Sequence, residues 1–128
     1  MKGNERDIVR ALVAVAWADG RVAEPEEGII ASLLWAFDAT AAEEDEIVTF
    51  AKVRRKLADS LSVANLTRTD KELLFAHAAL MTHADGSQTP DEAALLADLA
   101  GRLEITAAEA AAIVEQARVR AARFASRL

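Results

Sequence analysis

Two apolar stretches, "ALVAVAWA" at 11–18 and "LLFAHAALM" at 73–81, contain almost no polar position. Helices without a solvent face belong at the centre of a bundle. Each stretch leads into an Asp-Gly pair, Asp19-Gly20 and Asp85-Gly86, which predicts helices over about 4–19 and 70–85. The glycines stand at C′, where a left-handed residue ends a helix. Next, Ile29, Ile30, Leu33 and Phe37, and again Leu95, Leu96, Leu99 and Leu103, follow a helical rhythm. They predict second helices over about 25–38 and 90–103, each with proline in the first turn, where its missing N–H costs nothing. Third helices start at Thr40 and Thr106, each with a glutamate three residues on as a capping box, as in Thr89 and Glu92. The first of these runs to about 61 and the second to the C-terminus, with "SVANLTRT" at 62–69 as a polar link. No alternating strand pattern occurs, so the fold class is all-α.

The two series lie in one register. At an offset of 66 residues, the separation of Asp19 from Asp85, Glu26 meets Glu92 and "TAAE" at 40–43 recurs at 106–109. Ile47, Val48, Ala51, Val53 and Arg54 recur as Ile113, Val114, Ala117, Val119 and Arg120, with no gap. A match that long predicts an internal duplication. One domain over 1–128 is expected, a helical bundle of two pseudo-symmetric three-helix halves at about 4–61 and 69–128. Val13, Trp17, Leu33, Leu80 and Leu99 are its expected core residues.

Composition narrows the chemistry. Hydrophobic residues make up 52% but aromatics only 5%, so alanine and aliphatic side chains fill the core. The formal charge of -6 argues against nucleic acid, which needs a basic face. Cysteine is absent, which removes disulfides, thiolate metal sites and thiol nucleophiles and leaves the redox compartment undetermined. The run at 11–18 resembles a signal-peptide core, but Glu5 and Asp7 precede it, and the repeat marks it as structural. It is also too short to span a bilayer, which takes about 20 residues.

An apolar helix ending in Ala-Asp-Gly, with a glutamate seven residues after the aspartate, occurs twice. In this the chain resembles the TerB-like family of tellurite-resistance TerB proteins and the related N-terminal domain of DjlA-type J-proteins. The resemblance covers nearly the whole sequence. It implies a seven-helix or similar bundle with pseudo-two-fold symmetry, an acidic metal-binding site and a stress-resistance role through protein complexes near the membrane. By position, the implied ligands are Asp19, Glu26, Asp85 and Glu92. One departure is Gln88, where the family's second turn often has an apolar residue, as at Val22, so the second hairpin is expected to be less well anchored.

The acidic turns have a physical reason to hold a cation. The last carbonyls of a helix lack partners and carry partial negative charge, to which Asp19 and Glu26, or Asp85 and Glu92, would add carboxylates. Such hard oxygens suit calcium or magnesium. The same acids also serve as turn and capping residues, and neither turn has the ligand ladder of an EF-hand loop. His83 repeats Trp17 and His77 repeats Ala11, so both read as packing residues. "EEDE" at 43–46 and "KVRRK" at 52–56 suit the two ends of a helix dipole. Near the C-terminus, Arg120, Arg123 and Arg127 form one stripe and Phe124 and Leu128 another, a surface for lipid or a partner. Enzyme signatures are missing: no Gly-x-Ser-x-Gly, phosphate-binding glycine loop or His-Glu-x-x-His.

The sequence leaves three readings: a cation-binding stress module, a metal-free helical adaptor and, last, a hydrolase using the carboxylates. A non-enzymatic module acting through a protein partner in the cytoplasm is expected. Peripheral membrane association stays open.

Overall fold

The computed structural model describes residues 1–19, 24–83 and 88–126, without the side chains of Asp19, Glu24, Pro25, Phe124, Ala125 and Ser126. These residues form an all-helical domain. Its elements are α1 (Gly3–Ala16), a 3-10 turn (Trp17–Asp19), α2 (Glu24–Ala36), α3 (Ala41–Ala51), α4 (Leu57–Ser60), α5 (Arg68–Thr82), α6 (Pro90–Arg102) and α7 (Ala107–Ser126). Among the described residues, no helix is long and apolar enough to cross a membrane.

The two apolar stretches become the central pair. In α1, Ile8, Val9 and every residue from 11 to 16 are buried, and in α5 so are Leu74, Phe75, Ala78, Ala79, Met81 and Thr82. α1 packs against α5, with α2, α3 and α4 around α1 and α6 and α7 around α5. This division is crossed where the 3-10 turn packs on α6 and α2 on α5. Of the expected core residues, Val13, Leu33 and Leu99 are buried, whereas Trp17 and Leu80 are half-buried against the core.

Several helix ends differ from expectation, each for a local reason. α1 gives way to the 3-10 turn after Ala16. There the Trp17 indole N–H reaches the Ala51 carbonyl at 3.1 Å, a partner a half-buried tryptophan requires. α3 stops at Ala51 instead of running to about 61. The Ala51 carbonyl accepts from Trp17, and Arg55 Nε donates to the Phe50 carbonyl at 2.8 Å, so side chains take up the acceptors at the helix end. The chain then folds back and buries Leu57 in α4. The link at 62–69 is not wholly polar in role, because Leu66 is buried and Thr67 caps α5 through the Asp70 N–H.

The expected capping boxes at Thr40, Thr89 and Thr106 form, each with its hydroxyl accepting from the glutamate N–H three residues on, at 3.2, 3.1 and 3.2 Å. The turns after α2 and α6 share a further device. Asp38 and Glu104 take positive φ, 55° and 58°. In the first turn, Asp38 N donates to Trp35 O and Ala39 N to Leu34 O; in the second, Glu104 N donates to Gly101 O and Ile105 N to Ala100 O. This is a Schellman closure built without glycine at the left-handed position. The glycine ends expected at Gly20 and Gly86 lie outside the described residues.

Three cap acids make folding pH-dependent. The N-terminal ammonium, which donates to both Glu43 oxygens, and the Thr40 N–H hold the Glu43 carboxyl down at about 2. The Thr67 N–H lowers Asp70, and the Thr106 hydroxyl, with Arg68, lowers Glu109. A carboxyl whose folded pKa is depressed favours the native state only while ionised. Its contribution is complete above the ordinary carboxylate range and disappears as pH falls, for Glu43 down to about 2. The urea midpoint should therefore be lower at about pH 3 than at about pH 6, and Glu43→Gln should reduce that difference. An equal acid-induced loss in Glu43→Gln would remove Glu43 from this account.

Candidate functional site

The acidic turns are built from helix starts. Thr89 caps α6 with Pro90 in the first turn, and Glu92 Oε1 accepts the Thr89 N–H at 2.9 Å. This draws Glu92 inward to 4% exposure, and Glu26, in the matching turn of α2, is 7% exposed. Neither carboxylate is free of partners. Of the four implied ligands, Glu26 and Glu92 are thus placed. The Asp19 side chain and the whole of Asp85 lie outside the described residues. Among the described residues, no three His, Asp or Glu side chains gather as a metal group.

Tertiary packing gives the first turn a neighbour that sequence spacing could not. Asp19 and Glu26 are close in the chain, but the 3-10 turn ending in Asp19 packs on α6, the helix that carries Glu92. Trp17 and Ala18 also share a cleft of about 320 Å³ with Asp91 and Leu95 of α6. Arg54, Arg55 and Lys56 line it too, as do Asp98 and Arg102 of α6, which pair with each other. The basic run thus lies outside the helix whose end it was expected to occupy, with Lys52, Arg54 and Lys56 exposed. α3 ends before it, and Arg54, Arg55 and Lys56 line a cleft shared with α6.

At the second turn, Gln88 Nε2 donates to Thr82 Oγ1 at 3.0 Å, and Thr82 is 1% exposed. The polar residue that was expected to weaken this hairpin anchors it through a buried hydroxyl. Ala16, 66 residues before Thr82, offers no side-chain acceptor for such a bond. The histidines behave as packing residues. His77 Nδ1 lies 2.9 Å from the Leu73 carbonyl and His83 Nδ1 3.0 Å from the Ala79 carbonyl, so each donates back to its own helix.

No protein-family model, curated protein or solved structure matches the chain. The function is read from the site.

Proposed function

We propose that this chain is a TerB-like helical module of two pseudo-symmetric halves. It takes up calcium or magnesium at its acidic turns and acts in the cytoplasm by binding another protein. The two-halves reading is supported by elements that keep the sequence register. α2 and α6 begin at Glu24 and Pro90, α3 and α7 at Ala41 and Ala107, and the left-handed residues Asp38 and Glu104 stand 66 apart, as Asp19 and Asp85 do. The closing hydrogen bonds of both turns repeat at that offset.

The observation that carries the cation reading is the paired burial of Glu26 and Glu92 at matching turns. Both carboxylates have partners within the protein, which hold them in place at the turns, where their oxygens can be shared with a cation. These hard oxygen donors fit calcium or magnesium, with Asp19 and Asp85 completing each set. Glu24, Glu26 and Glu27 crowd the first turn more than Asp91 and Glu92 do the second, so the first site binds more tightly. A metal-free adaptor is the second reading. It is favoured by the Glu92 capping box, which gives that carboxylate a structural use.

Thermal unfolding separates the two. Millimolar calcium or magnesium should raise the midpoint by several degrees, since a ligand at about a hundred times its Kd adds about 2.7 kcal/mol. Asp19→Asn and Glu26→Gln should remove more of the rise than Asp85→Asn and Glu92→Gln. A wild-type midpoint unmoved by either ion leaves the adaptor. Loss of the rise in the second pair alone reverses the ranking of the sites.

A further inference from the structure

The seam between α1 and α3 is closed by long side chains. Arg6 pairs with Glu43 at 3.2 Å and with Glu46 at 3.3 Å, and Arg10 pairs with Glu46 at 3.0 Å. Beyond them Phe50 lies half-buried, with the guanidinium of Arg10 5.4 Å and that of Arg55 4.0 Å from its ring centre. At the 66-residue offset these positions are shortened. Ala76 stands for Arg10, Ala112 for Glu46, Gln116 for Phe50 and Ala121 for Arg55. The seam between α5 and α7 is correspondingly open, as a groove of about 400 Å³.

It is lined by Leu73, Ala76, Leu80, Ile113 and Ala117 together with His77, with Gln116 and Arg120 at one end and Thr69 and Glu72 at the other. From Thr69 to Leu80 it follows α5 for about 16 Å at the helical rise. The ends differ in charge. Glu72 is held by Arg68 at 3.0 Å, and Arg68 also pairs with Glu109. Arg120, by contrast, has neither a hydrogen bond nor an ion pair among the described residues. A largely apolar trough of small-ligand volume, ending in a guanidinium that has no partner among the described residues, matches an apolar body bearing one anionic group.

We propose that the α5–α7 groove binds a monomeric carboxylate amphiphile. Its acyl or aryl body lies along Leu73, Leu80 and Ile113, and its carboxylate meets Arg120. The site is separate from the acidic turns and needs no cation, so the binding measurement is made in chelator and stands whether or not those turns bind metal.

The test is calorimetric titration of the full chain with dodecanoate below its micellar concentration. Saturable one-site binding is expected. Arg120→Ala should weaken it about tenfold or more, the loss of one charge-assisted hydrogen bond. Methyl dodecanoate, which lacks the charge, should bind weakly and be indifferent to Arg120→Ala. Gln116→Phe, which refills the trough as Phe50 fills the first seam, should abolish binding while the thermal midpoint is kept. Both substitutions are at exposed positions, so folding is not at stake. Absence of saturable binding, or full affinity in either variant, overturns the proposal. So does capture on anionic vesicles without binding of the monomer, which would assign the cationic end to a membrane.

Discussion

Phe75→Ala should lower the unfolding free energy by about 3–5 kcal/mol, read as a shift of the urea midpoint at constant slope. Phe75 is the largest of the fully buried side chains, 1% exposed, on the helix that α1, α2, α6 and α7 all contact. Truncation there removes the transfer energy of the ring and leaves a cavity that several rigid neighbours cannot close. Against the roughly 5–15 kcal/mol that holds such domains together, the loss is a large share. A cost below about 1 kcal/mol would mean that the centre of the bundle lies elsewhere.

Ala78→Leu should be destabilising by about 1–3 kcal/mol, although leucine is nearly as good a helix former as alanine. Ala78 is 0% exposed, as are Ala79 beside it and Ala11 on α1. Helices that present alanine to one another approach closely, and added methylene groups must displace a backbone or take a strained rotamer. Ala97→Leu, on the exposed face of α6, isolates the packing effect and should leave the midpoint almost unchanged. If Ala78→Leu is equally silent, the α5 core has room that the structure denies it.

The legible parts of this protein were those governed by neighbours in the chain. The capping boxes at Thr40, Thr89 and Thr106 need only a hydroxyl and a carboxylate three residues apart, and they form as read. The central helices were legible because a stretch such as that in 73–81 has nothing to offer water. The end of α3 was not. Its last carbonyls are taken by Trp17, from a helix far back in the chain, and by Arg55, and no local pattern announces that exchange. Trp35 was equally hidden: α2 has the expected helical rhythm, yet leaves this indole 84% exposed. Burial of a helix face depends on which neighbours arrive.

The same division runs through the sites. Glu92 could be read as a cap from Thr89 alone. That the turn ending in Asp19 would lie on α6, the helix that carries Glu92, was decided only by tertiary packing. Gln88 read as a weakness because its partner, Thr82, belongs to the preceding helix and is buried. Gln116 stands 66 residues after Phe50 in the sequence. A groove forms there only when α7 lies along α5.

By itself, the sequence determined the apolar central helices, the capping boxes at Thr40, Thr89 and Thr106 and the two series of matching positions. Helical periodicity, capping and chain register are short-range properties, set by residues within one or two turns of each other. The tertiary structure alone decided where α3 breaks, which cleft Arg54, Arg55 and Lys56 line, and which seam is filled and which is open. Those outcomes come from side chains distant in sequence competing for the same carbonyls and the same space, and that competition begins only when the helices pack.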